Sequence, residues 1–141
     1  MQITSRFTIA INTMLCIACF SDKRKVTSNF IAESTNSNPV IIRRILGQLK
    51  DADLIKIKPG VGGSTITKEL DTITLLDIFN AVDAVSDDFF SFHANPNCTC
   101  PVGKNIHTIL DGHLNEIQEA MNGQMQKTNL KTLLEETRPY L

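Results

Sequence analysis

The chain has 141 residues, 42% hydrophobic and 21% charged, without repeats or low-complexity tracts, which suits one domain or a small domain plus an appendage. Its formal net charge of −1 suggests no partner, but residues 1–68 hold ten Lys/Arg against four Asp/Glu while residues 69–141 hold four against eleven. That asymmetry points to a polyanion-binding N-terminal half.

Residues 5–20 read as a helix, with Phe7, Ala10, Ile11, Met14, Leu15 and Ala18 on one face at helical spacing. Ile9, Cys16 and Ile17 make the other face apolar too. A helix apolar nearly all round is packed on both sides, which in a small protein suggests a second subunit. SDKRK (21–25) follows the apolar run 7–20, where the cleavage site of a signal peptide would show small residues. No stretch reaches the roughly 18 apolar residues that span a bilayer. The expectation is a cytoplasmic protein with no membrane partner, its four cysteines reduced, ligating or redox-active rather than bridged.

Thr27 or Ser28 caps a short helix through about Ser34, burying Phe30 and Ile31. TNSNP (35–39) is a tight turn in which Asn38 caps the next helix and Pro39 takes its first position. That helix, to about Ala52, carries Val40, Ile41, Ile42, Ile45, Leu46 and Leu49 inward and leaves Arg43, Arg44, Gln48 and Lys50 outside. In LIKIKPGVGGSTIT (54–67), Leu54, Ile55 and Ile57 alternate with Lys56 and Lys58, PGVGG makes the turn, and Thr65–Thr67 return. The glycines of this tip, Gly60, Gly62 and Gly63, leave backbone N–H groups free for close approach. Thr74 caps a helix over roughly 75–85, and an irregular acidic and aromatic segment, SDDFFSFHANPNCTC, follows. From Pro101 a long helix runs to about residue 125, with Ile106, Leu110, Leu114, Ile117, Met121 and Met125 recurring every three or four residues. Such a stripe has too little protein above it in one subunit and reads as a dimerisation helix. Thr128 caps a final short helix with Leu130, Leu133 and Leu134.

The fold class is therefore mainly α with a small β-hairpin: a winged helix-turn-helix over residues 1–86, then a loop, dimerisation helix and C-terminal helix over 87–141. Helix 39–52 is the reader of double-stranded DNA. Arg43 and Arg44 are placed for base or phosphate contact, and Gln48 and Lys50 for phosphate. Ser28, Ser37 and Asn38 stand at helix starts, where side chains and backbone N–H groups bind phosphates. Lys56 and Lys58 flank the wing.

NPVIIRRILGQLKDADLIKIKPGVGGSTI, then ITLLDIFNAV and CPVGKNI, resembles the Rrf (type-two) family of bacterial winged-helix regulators over roughly residues 3–125. It looks most like the YwnA-like branch, which shares a Pro-Asn…Cys-Pro-Val-Gly-Lys segment. The resemblance implies a homodimer on a palindromic operator, usually a repressor. Cluster-binding members carry three cysteines in the loop before the long helix; here there are two, Cys98 and Cys100.

Three readings of those cysteines compete. Zinc wants four ligands at wider spacing than Cys98-x-Cys100, though His93 or His107 can complete a set. A [2Fe–2S] cluster needs two ligands more, from histidine or from the partner subunit. Cys16-x-x-Cys19 lies in a buried helix pattern and reads as core packing. The preferred reading assigns no metal or cofactor, with an iron–sulfur cluster as the alternative. Cys100, at the N-cap of the helix that starts with Pro101 and one turn from Lys104, has the setting of a reactive thiolate sensor, with Cys98 its nearest thiol. No nucleophile–base set is readable, so the chain is not expected to be an enzyme.

Overall fold

The computed structural model describes residues 5–60, 62–82 and 93–141. Its elements run α1 (Ser5–Phe20), α2 (Ser28–Thr35), α3 (Pro39–Asp51), β1 (Ile55–Ile57), β2 (Ser64–Ile66), a 3-10 turn (Leu70–Thr72), α4 (Leu75–Val82), α5 (Pro101–Lys127), α6 (Leu130–Thr137) and a closing 3-10 turn (Arg138–Tyr140). This is the expected winged helix-turn-helix with a long C-terminal helix.

Helix α1 is the centre of the core. Ala10, Met14 and Ile17 are wholly buried, with Ile31, Ile42, Ile45, Leu49, Ile73 and Ile78 around them. Each such large side chain contributes about 1.5–3 kcal/mol on burial. Buried Thr13 satisfies its hydroxyl by donating to Ile9 O at 2.8 Å. The two-sided burial of α1 has a source within the chain itself: α2, α3, α4, α6 and β2 all pack on it.

The local signals act as read for α2 and α3. Thr27 accepts from Phe30 N at 3.2 Å, Asn36 ends α2 in the left-handed conformation (φ 51°), and Asn38 accepts from Val40 N at 2.9 Å ahead of Pro39. The inward assignment of Val40 and Ile41 is corrected: they are 56% and 42% exposed. Ile42, Ile45, Leu46 and Leu49 fill the buried stripe, and at about 100° per residue Val40 falls on the opposite side of α3 and Ile41 beyond the edge of the stripe.

The ribbon pairs Ile55 with Ile66, Lys56 with Thr65 and Ile57 with Ser64, so the return strand starts one residue earlier than expected. Lys58 N bonds Gly63 O at 3.0 Å to close the loop, and Ser64 N bonds Val26 O at 3.1 Å to fasten the ribbon to the segment before α2. Alternation is incomplete. Leu54 and Ile55 are both buried, and Ile57 is exposed because the short ribbon has left the core by then.

Thr74 and Asp77 cap α4 reciprocally, Asp77 N donating to Thr74 Oγ1 (3.2 Å) and Thr74 N to Asp77 Oδ2 (3.0 Å). The expected continuation of α4 to residue 85 and the acidic aromatic segment up to residue 92 lie outside the described residues, as does Val61 of the wing. At the far end, the assignment of Thr128 as a cap is corrected. Asn129 caps α6, accepting from Thr132 N at 2.9 Å. Thr128 O instead accepts from Leu75 N (2.9 Å) while Leu130 N donates to Ile73 O (2.8 Å), a two-bond bridge that returns the chain to the winged unit.

Gly60 and Gly63 both have positive φ, 74° and 76°, but only Gly63 has a crowded neighbour: a Cβ there would lie 2.8 Å from Val26 N, whereas one on Gly60 meets nothing within 4 Å. Gly60→Ala should therefore cost about 1–2 kcal/mol, the left-handed penalty alone, and Gly63→Ala distinctly more. Urea denaturation midpoints of the two variants check this ordering; equal losses would show that the Val26 contact is not what requires glycine at 63.

Candidate nucleic-acid interface

The start of α2, the side of α3 and the wing enclose a cleft of about 250 Å³. Its lining includes Thr27, Ser28, Arg43, Lys58, Gly60 and Ser64, and no described carboxylate faces into it. The pairing of Ser64 with Val26 holds the wing base against α2, which is why a side chain from α3 and one from the wing share this space. Two cations, a hydroxyl at a helix start and an open glycine make a setting suited to a phosphate.

The remaining expected contact residues divide by geometry. Arg44, Lys50 and Lys56 are exposed outside the cleft. Asn38 spends its side chain on Val40 N, and Ser37 donates its hydroxyl to Thr35 O at 3.2 Å, so both shape the turn. Gln48 accepts from Arg6 and lines a separate depression with Asp51, Ala52, Asn80 and Ala81. It therefore lies to the side of α3 away from the wing. The close approaches at Gly62 and Gly63 are to the chain itself, at Lys58 and at Val26 with Lys25. Arg6 stands beside α3 through its bond to Gln48, and Lys25, in the charge run SDKRK, backs Gly63 at the wing.

The loop before α5 is folded onto that helix. Asn97 Oδ1 accepts from Thr99 N (3.0 Å) and Thr99 Oγ1 (2.8 Å), and Asn97 O from Cys100 N (3.3 Å). A Cβ on Gly103 would lie 2.6 Å from Asn97 O, so glycine is what lets the loop seat. Cys100 occupies the N-cap and is half-buried; Cys98 is exposed. The backbone N–H groups of Gly103 and then Val102 hold the Cys100 thiol below its ordinary range, opposed weakly by burial. The charge of Lys104, expected to help, is not among the causes; the residue contributes its N–H to Cys100 O at 2.8 Å. Burial pushes the Cys16 and Cys19 thiols up.

Zinc and an iron–sulfur cluster need converging ligands. His93 and His107 are adjacent, ring centroids 5.3 Å apart, but His107 Nδ1 pairs with Asp111 at 3.1 Å. Among the described residues no three His, Cys, Asp or Glu side chains form a set able to hold a metal ion. The thiols Cys98 and Cys100 are two where a cluster takes four ligands, and the described residues do not fit that group.

On α5, Ile106, Leu114 and Met121 are half-buried, and Leu110 and Ile117 are exposed. Val102 and Ile109, 63% and 57% exposed, widen the apolar surface beyond the residues read from the sequence. Met125 is buried, so the end of the stripe packs within the chain. Among the described residues no helix is long and apolar enough to cross a membrane.

Alkylation by iodoacetamide of the native protein should label Cys100 and Cys98 and spare Cys16 and Cys19 until denaturant is added. The Cys100 rate should rise with pH and reach half its plateau below the ordinary thiol value, because its thiolate persists to lower pH. Peptide mass mapping across a pH series measures this; a midpoint at or above the ordinary value would remove the helix-end effect.

Residues 3–136 match the family model of Rrf2, described as an iron-dependent transcriptional regulator. The chain is 37% identical over 133 residues to the "Putative HTH-type transcriptional regulator YwnA" of Bacillus subtilis, covering 94% of this chain and 97% of that one. A crystal structure of a "putative DNA binding protein" superposes with a TM-score of 0.73 at 34% identity, over 92% of this chain and 99% of that one. CymR, the global cysteine regulator of B. subtilis, shares the fold alone, with a TM-score of 0.69 at 20% identity over 97% and 98% of the two chains. The family model and the B. subtilis relative are both described as transcriptional regulators. The chain belongs to the Rrf2 family of transcriptional regulators.

Proposed function

We propose that this regulator is a cytoplasmic homodimer that binds a palindromic operator in double-stranded DNA, as a repressor, and that oxidation of Cys100 modulates the binding. The observation that carries the DNA reading is the carboxylate-free cleft shared by Ser28, Arg43, Lys58 and Gly60. A phosphate seated there leaves the exposed face of α3, with Arg44 and Lys50, for the major groove and the wing for the backbone or minor groove beside it. Residues 1–86 act as the reading unit and 87–141 as the sensing and pairing unit.

The exposed surface of Val102, Ile109, Leu110 and Ile117 supports pairing through α5. Two copies related by a two-fold axis present two reading heads, which a palindrome matches. The sensing step starts at the Cys100 thiolate. A peroxide gives it one oxygen, leaving a sulfenic acid and releasing water or an alcohol. A second thiol, Cys98 or one from the partner subunit, then condenses with it to a disulfide with loss of water. Either change disturbs the seat of the loop on the first turn of α5, and through α5 both heads together.

DNA binding should weaken steeply with salt. Arg43→Ala or Arg44→Ala should cost about 1–3 kcal/mol if its side chain is bidentate to guanine, and Lys58→Ala should weaken all sequences more evenly. Affinity is measured by fluorescence anisotropy on a duplex that the wild type selects from a random library; unchanged affinity in the Arg43/Arg44 double variant would remove α3 as the reader. Leu110→Glu with Ile117→Glu should give monomers or insoluble protein in sedimentation, and a soluble dimer would place the interface elsewhere. Oxidant sensitivity of DNA binding should vanish in Cys100→Ser and change character in Cys98→Ser. A Cys100→Ser variant that responds like wild type, or coloured protein from an air-free preparation that loses DNA binding with its colour, would overturn the thiol mechanism.

A further inference from the structure

Gly47 sits in the interior of α3, where glycine weakens a helix relative to alanine. Nothing in the fold requires it. A Cβ built there meets no atom within 4 Å, and its φ is not positive. An open helical glycine is no signature by itself, since Gly112 and Gly123 of α5 are open as well. The setting of Gly47 is different. It lies two residues from Ile45 and from Leu49, both wholly buried, hence about 200° around the helix from each. It therefore points straight away from the core. Its neighbours on that outward face are Val40 seven residues before it, Arg43 and Arg44 four and three before, and Lys50 and Asp51 three and four after. Val40 is more than half exposed, and both arginines and Lys50 are exposed. The middle of the basic face is thus bare backbone ringed by longer side chains.

We propose that Gly47 is a close-approach point, at which the backbone of α3 comes into van der Waals contact with the DNA so that Arg44 reaches the base edges and Arg43 the phosphate in the cleft. This rests on the reading of α3 as the DNA-reading helix. The missing Cβ is the determinant. A side chain at 47 holds the helix axis off the duplex and withdraws both arginines from hydrogen-bonding distance, where the geometry of a bidentate contact is lost. The glycine weakens the helix in the free protein, and its benefit appears only in the complex.

The test compares wild type with Gly47→Ala, Gly47→Leu and Gly123→Ala, scoring melting temperature and affinity for the duplex selected by the wild type. Alanine and leucine have similar, high helix propensity but very different size. Both Gly47 variants should melt about 2–5 °C above wild type. Gly47→Ala should bind about ten-fold more weakly, and Gly47→Leu more weakly still. Gly123→Ala, two residues from Met121 and from Met125 and so on the far side of α5 from them, should gain stability and keep full affinity. Wild-type affinity in Gly47→Ala and Gly47→Leu overturns the inference while leaving the DNA-reading function intact. Equal losses in the two variants overturn it as well, because helix stiffness and not size would then set the effect. A wild type that selects no duplex refutes the function itself, and the close-approach point with it.

Discussion

The bridge between residues 73–75 and 128–130 is the constraint on which the rest of the structure depends. Two backbone hydrogen bonds, Leu75 N to Thr128 O and Leu130 N to Ile73 O, join the start of α4 to the end of α5. Ile73 and Leu130 beside them are essentially fully buried, so the bonds are shielded from competing water. They give a 27-residue helix a fixed departure from the winged unit. With them, α6 turns back onto α1 and the 3-10 turn at Leu70–Thr72, and the last turn of α5 enters the core through Met125.

That tie orders the surfaces by distance from the core. The end of α5 packs internally, and apolar residues towards its start, Val102 and Ile109 above all, are left in water. The thiol loop lies at the start of the same helix. Cys100 therefore stands at one end of an element whose other end is fixed to the winged unit. The lowered thiol pKa comes from the Gly103 and Val102 N–H groups, which lie in the first turn of α5 itself.

The glycines show how one residue type answers different demands. Gly63 and Gly103 are required because a Cβ would strike the backbone of Val26 and of Asn97. Gly60 has a positive φ in open space at the wing tip, and Gly47 is open on a helix face. The first pair stabilises the fold by permitting packing. For the second pair the chain itself supplies no neighbour.

Much was legible in the sequence because its signals are local. Thr27, Asn38 with Pro39, and the Cys100–Pro101 start act within three residues of themselves, and at Thr27 and Asn38 a side-chain oxygen meets a free N–H group. The apolar spacing of α1, α3 and α5 and the order of helices and ribbon gave the winged helix, and its resemblance gave the family. The tertiary structure alone decided which faces of those helices are covered. Val40 and Ile41 look inward by composition yet lie beyond the edge of the buried stripe. Thr128 looks like a cap, but its carbonyl is engaged by Leu75, some fifty residues away in sequence, and Asn129 caps instead. Gln48 shares a helix with Arg43, but Arg6 of α1 engages it on the side away from the wing. A periodicity fixes the angle of a residue about its own helix, and only the packing of distant segments decides what that angle meets.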